Sequence, residues 1–312
     1  MTSDFVADLS HNALLAVTGD DATQFLNAQL TNDVQALHAG EAQWNGWCSA
    51  KGRLLATFLL LRRADGYLLM LPAEIAAPIA KRLAMFVLRS KVKIHDVSEL
   101  YARVGIAGPG AAKLVAGHWS AEPAPMRSAE KDGAVVVALG VQRFAAFVPP
   151  NAAPAFWDLF AKDWPRTGAD EWERTSILAG IPTIVAATQE AFVPQMANFE
   201  LVGGVSFKKG CYPGQEIVAR TQYRGGLKRR MAIAHLAGSE RPAPGQSVYS
   251  SAFGEQAAGT IVNAAPSPGS GFDALVVAQI DSLMRDDLHW KSPEGPKLEI
   301  RSWPALATEA AS

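Results

Sequence analysis

The stretch KKGCYPGQEIVAR (208–220) carries Cys211, one of only two cysteines in the chain, one glycine after Lys208 and Lys209. Tyr-Pro-Gly predicts a turn, because proline presets φ and glycine accepts a positive one. QEIVART then predicts a short helix with Cys211 just before its positive end. Two ammonium groups and a helix N-terminus favour the thiolate, the form of cysteine that attacks electrophiles and binds metals. The competing reading is a small buried hydrophobe, as free cysteines commonly are. Gln215 and Glu216 either share in that chemistry or cap the helix. Arg220, four residues past Glu216, is spaced for an ion pair. The run RTQYRGGLKRR (220–230) holds five basic residues and no acid. It suits an anionic cofactor tail, a phosphate or RNA, and equally a solvated linker edge. Upstream, FVPQMANFE (192–200) offers Gln195, Asn198 and Glu200. Such groups can read the edge of a planar heterocycle or satisfy the loop's own backbone. Trp172, with Trp157 and Trp164 before it, is either core or a stacking platform.

Composition narrows the classes. Over 312 residues, 29 Lys and Arg face 30 Asp and Glu, so no global field draws the chain to nucleic acid or membrane. MTSDFVADLS lacks the basic start and apolar core of a signal peptide. The apolar run LLATFLLL (54–61) falls far short of the roughly 20 residues that span a bilayer. Two distant cysteines make no disulfide framework, and no Cys/His cluster has the spacing of a metal site. A reduced, cytoplasmic protein is expected.

The elements that must position these residues follow from periodicity and punctuation. ALLAVTG (13–19) predicts a buried strand, and DDATQFLNAQL (20–30) a helix capped by Asp20 or Asp21. Ala-Asp-Gly at 64–66 divides two apolar runs into a hairpin. A helix over 72–89 and a strand at 91–97 complete a first α+β unit, placed at 1–100 and exchanging segments with the next. The order then recurs: strand 102–108, helix 109–118, hairpin 134–148, helix 153–163. ADEWERTSILAG (169–180) predicts a helix capped by Asp170 and stopped by Gly180. The Pro- and Gly-rich stretch 181–213 is long for a connection, which marks it as functional. This second unit is placed at 101–227. Five short strands with Pro/Gly turns then predict a β-barrel over 228–312.

Lys209-Gly210-Cys211-Tyr212, with Gly214-Gln215-Glu216 and Ala219-Arg220, resembles the signature of the folate-binding YgfZ-type proteins, relatives of the aminomethyltransferase of glycine cleavage. VTGDDATQFLNAQLTNDV (17–34), CSAKGR (48–53), AGIP (179–182) and FVPQMANFE follow the same family order. The resemblance implies an aminomethyltransferase-like α+β fold, with two sheet-and-helix domains and a C-terminal β-barrel around a central cavity. It implies tetrahydrofolate or a one-carbon derivative as cofactor, with Trp172 touching it and Gln195 and Asn198 beside it. It implies a role in assembling or repairing iron–sulfur clusters, with iron–sulfur enzymes or cluster-assembly proteins as partners, tRNA-modifying enzymes among them. The family cysteine falls on Cys211, accompanied by Lys209, Gln215, Glu216 and Arg220. The chain departs from the transferases where their acid pair stands, at Ala56 and Thr57, which argues against aminomethyl transfer. It departs again at Leu178, in place of a pterin-holding glutamate, and at Asn12, in place of an aromatic contact. Two alternatives stay open: a one-carbon transferase using tetrahydrofolate, and a non-catalytic regulator contacting tRNA or a tRNA-modifying enzyme through 220–230.

Overall fold

Ala64 and Asp65 form the turn of the predicted hairpin, between strands Leu54–Arg63 and Gly66–Pro72. A computed structural model describes residues 3–119, 122–160, 162, 164–223 and 226–304. The hairpin is the centre of a five-stranded sheet ordered Ala42–Cys48, Leu54–Arg63, Gly66–Pro72, Asn12–Thr18, Lys93–Asp96. Helices Ala22–Gln29 and Ala73–Ala84 cover one face, the second burying Ile75, Ile79 and Leu83 at helical spacing. The other face packs on a second sheet, with Leu59, Leu61 and Met70 against Phe5, Val137 and Phe147. Burial on both faces explains why LLATFLLL shows no alternation.

The second sheet is ordered Arg166–Thr167, Phe5–Asp8, Ala102–Ala107, Arg143–Val148, Ala134–Gly140, Ser128–Lys131. Its outer face carries helices Ala111–Trp119 and Ala153–Phe160. Strand Phe5–Asp8 therefore pairs with Ala102–Ala107, not with its sequence neighbours. The chain crosses from the second sheet to the first between Asp8 and Asn12, placing His11 and Asn12 where the sheets meet.

The third sheet runs His289–Trp290, Ser247–Tyr249, Gly259–Pro266, Phe272–Gln279, Arg229–Leu236, Leu298–Ser302. It curls until its edges join, through a bridge between His289 and Lys297 and a bond from Trp290 N to Pro296 O (2.8 Å). The α+β class with a curled C-terminal sheet is thus the fold the chain adopts. Among the described residues no helix is long and apolar enough to cross a membrane.

Helix Ala169–Leu178 packs against Phe5–Asp8 and against Gly259–Pro266 and Phe272–Gln279. Arg174 Nε donates to Asp273 Oδ2 at 2.7 Å, and the fully buried Asp273 also holds His235 and Arg301. Burial, the largest single influence, pushes its carboxyl up, but the hydrogen bonds from Arg174 and His235 and the charges of Arg301 and Arg174 together hold it below the usual range. The helix caps differ from expectation. Gly168 precedes helix Ala169–Leu178, and Asp170 in its first turn pairs with Arg241 instead. Asp21 accepts from Lys91 N (2.7 Å), tying two loops rather than its own helix.

Candidate functional site

The turn Tyr212-Pro213-Gly214 docks backbone to backbone on the turn of CSAKGR. Gly214 sits at φ +79°, and a Cβ there would lie 2.4 Å from Ser49 O. Gly52, at φ +68°, faces Ile217 in the same manner. Two blocks about 160 residues apart in sequence are therefore one structural unit, and only glycine fits either contact. Gly214→Ala is expected to cost about 1–3 kcal/mol, read from urea unfolding, because strain and collision add. An unchanged midpoint would show that the turn does not depend on this approach.

Helix Gln215–Tyr223 starts immediately after that turn. Cys211 is exposed, whereas Cys48 is buried and its thiol is pushed up to about 12 by desolvation. Tyr212 is buried and its hydroxyl pushed upward, by desolvation first. Lys209 is also buried, and burial draws its amine down to about 8. That amine donates to Asn27 O and to Leu30 O (2.6 Å), at the C-terminal end of helix Ala22–Gln29. A cation there satisfies carbonyls the helix leaves open. Lys209 thus fastens the motif to the first helix. Gln215 is half-buried at the helix start, and the exposed Glu216 and Arg220 do not form the expected ion pair. Arg224 lies outside the described residues.

Gln195 and Asn198 are engaged by backbone. Gln195 Nε2 donates to Val218 O (2.7 Å), and Asn198 Nδ2 to Met231 O (2.8 Å). Arg230 Nη1 reaches Gln195 O (3.0 Å), Asn198 Oδ1 (3.2 Å) and Glu200 Oε1. Burial nonetheless raises the Glu200 carboxyl above the usual range, outweighing Arg230. The cluster binds loop, motif helix and third sheet together, and Arg230 belongs to it rather than to a free basic run.

A channel opens where the three sheets meet. Its outer cavity, about 760 Å³, is bordered by His11, Glu74, Glu173, Thr183, Arg241 and Asn263. An inner pocket of about 40 Å³ shares Asn12, Pro72, Glu173 and Thr183 with it and ends on Trp172, Arg143, Thr57 and Ser176. Trp172 is only 2% exposed, so it forms the back wall and not an open platform. The Arg143 guanidinium lies 4.3 Å from the centre of its ring. Arg143 Nε donates to Thr175 Oγ1 (2.7 Å) and Nη2 to Ser176 Oγ (2.5 Å), while Nη1 has no partner among the described residues. Burial pulls this arginine down to about 10, so it stays a cation at neutral pH. Among the described residues no carboxylate pairs with it; Glu173, the acid that acts on it, is bonded to His11 Nε2 (3.0 Å). Asn12 Nδ2 lies 2.8 Å from that same ring nitrogen. Neither cavity is lined by Cys211, Gln195 or Asn198. Arg143, His11 and Glu173 were not singled out from sequence. The available signal was a charge opening the otherwise apolar run RFAAFV.

Comparison with known proteins agrees with this architecture. Residues 2–131 match the GCVT N-terminal domain family. The tRNA-modifying protein YgfZ of Cronobacter sakazakii is 30% identical over 239 residues, 76% of this chain and 72% of that protein. This chain belongs to the YgfZ family. The Shigella sonnei YgfZ is 30% identical over 237 residues, covering 75% of this chain and 72% of its own. The glycine cleavage system aminomethyltransferase T of Bartonella henselae superposes with a TM-score of 0.72 at 16% identity, over 96% of this chain and 86% of that one. At that identity the likeness shows the fold. In this YgfZ-family chain, Ala56 is fully buried in the first core, and Thr57 Oγ1 donates to Pro182 O (2.8 Å) and accepts from Ile184 N (3.1 Å). Leu178 is half-buried and lines neither cavity.

Proposed function

We propose that this YgfZ-family chain binds tetrahydrofolate, or a one-carbon derivative, in the central channel. In this reading it serves in the cytoplasm as an accessory protein for assembly or repair of iron–sulfur clusters in client enzymes, tRNA-modifying ones included, with Cys211 as its reactive group. The observation that carries the ligand part is the channel itself, with an outer cavity of about 760 Å³ at the junction of three sheets and an inner end on a guanidinium above Trp172 that has no carboxylate partner among the described residues. Cavities of about 300–1,000 Å³, mostly apolar with a few convergent polar groups, are typical of small-molecule sites. Asn12, Thr57 and Ser176 supply further polar atoms at the inner end. Calorimetric titration with tetrahydrofolate tests this: saturable one-to-one binding is expected. No binding up to about 1 mM ligand would sink it.

Cys211 immediately precedes the docked turn and is exposed, as a group meeting a macromolecular partner must be. Cys211→Ser is expected to leave unfolding within about 0.5 kcal/mol of wild type, as surface substitutions do. The same variant should fail to restore iron–sulfur enzyme activity in cells lacking the protein. Full rescue by serine would return the thiol to a passive role. Aminomethyl transfer is not expected, since Ala56 and Thr57 offer no carboxylate and Glu173 is engaged by His11. A tRNA contact would rest on the exposed Arg220 and Lys228, with affinity falling steeply as salt rises.

A further inference from the structure

Among the described residues, Arg143 combines a buried charge, a donor without a partner and a place on the inner pocket. It opens strand Arg143–Val148, is 5% exposed, and has a fixed orientation: two nitrogens on the hydroxyls of Thr175 and Ser176, its face on Trp172. Its third nitrogen, Nη1, is buried without an acceptor, and the residue borders the inner pocket. A buried cation without a carboxylate is costly, and a buried donor without an acceptor adds to that cost. A ligand oxygen entering the pocket would give the buried donor its acceptor and would turn the negative end of its dipole toward the charge. Size identifies which part of a ligand enters. About 40 Å³ is a few times the roughly 10–15 Å³ of free space that one water needs, too little for a two-ring pteridine and enough for an exocyclic group. The ring must then sit at the inner end of the outer cavity.

We infer that Arg143 is a specificity-determining residue of the channel, donating from Nη1 to the 4-oxo group of a reduced pteridine. The inference rests on the folate reading above and adds the chemistry by which the site tells one pteridine from another. A 4-amino pteridine presents N–H donors where the 4-oxo group presents an acceptor, so it would face the guanidinium donor to donor.

Tetrahydrofolate and tetrahydroaminopterin differ on the ring in the C4 substituent and, with it, in whether N3 carries a hydrogen, so the test compares their anaerobic affinities for both wild type and Arg143→Met. Wild type is expected to prefer tetrahydrofolate by about tenfold to a hundredfold, the range for a hydrogen bond to a charged group. Arg143→Met should lose that preference while the ligand-free protein melts no lower than wild type, because an uncompensated buried cation has been replaced by an apolar chain. A purely structural arginine would instead lower the melting temperature and leave the affinity ratio as it was, which overturns the inference. Should the methionine variant fail to fold, Arg143→Gln offers an amide that can either donate or accept, and a ratio unchanged in that variant also overturns it. Equal wild-type affinities overturn it alone and leave the folate reading standing. Absence of binding by either compound removes both.

Discussion

Trp172→Ala is expected to lower stability by about 3–5 kcal/mol, the range for deleting a large buried aromatic. Three contacts make the site unable to collapse around the loss. The indole lies in the core between the first two sheets, with Phe5, Leu59, Met70 and Phe147. It also lies against Gly105 of strand Ala102–Ala107, where an added Cβ would come 2.4 Å from Cε3. Above its ring sits the Arg143 guanidinium. Removing the indole therefore opens a hole beside an already unpaired charge and admits water to it. Tetrahydrofolate affinity is expected to vanish with the wall of the inner pocket. Trp172→Phe separates the two effects: the smaller ring should keep the fold and weaken binding about tenfold, the equivalent of roughly 1.4 kcal/mol. Chemical denaturation and calorimetry on both variants check this. Unchanged stability in the alanine variant would mean that the indole is not the wall between the sheets.

Arg230→Met is expected to cost about 3–5 kcal/mol, because it leaves the Glu200 carboxylate buried without its cation. The consequence is structural and reaches the motif. Without Arg230, loop 194–200 loses the contact joining Gln195, Asn198 and Glu200 to strand Arg229–Leu236, and Gln195 is what holds Val218 of the motif helix. The pH dependence has a definite sign. The folded carboxyl of Glu200 already lies above its ordinary value of 4.5, since burial outweighs the arginine. Removing Arg230 raises it further. A group whose folded pKa exceeds its unfolded one contributes its stability below the unfolded value and loses it as pH rises through the folded value. The deficit of Arg230→Met should thus be smallest near pH 4.5 and grow toward neutrality. The double variant Arg230→Met/Glu200→Leu should recover most of the loss, as replacing both members of a buried pair often does. A pH-independent deficit would show that the arginine acts through packing alone.

Much of the fold was legible because local signals and the final structure agree. The Ala64-Asp65 turn, the buried strand in ALLAVTG, and the helix ADEWERTSILAG stopped near Gly180 all form where punctuation and periodicity put them. Neither the strand Phe5–Asp8 nor its choice of partner was legible. Pairing with Ala102–Ala107 is set by which sheet edge is free, and a four-residue segment carries no record of that. Short edge strands such as Arg166–Thr167 and His289–Trp290 were missed for the same reason.

By itself the sequence determined the family blocks, the α+β class and the chemistry available at Cys211, since these depend on residue types at short spacing. Only the tertiary structure decided what each polar group does. Lys209, read beside the thiol as part of its electrostatics, is bonded to the carbonyls ending the first helix. Gln195 and Asn198, read as heterocycle contacts, hold backbone from the motif helix and the third sheet. Arg143, unnoticed at the head of an apolar strand, stands at the end of the channel with an unused donor. The physical reason is common to all three. Whether a buried donor is satisfied depends on carbonyls and hydroxyls from distant segments, and those are brought together only by the packing of the sheets.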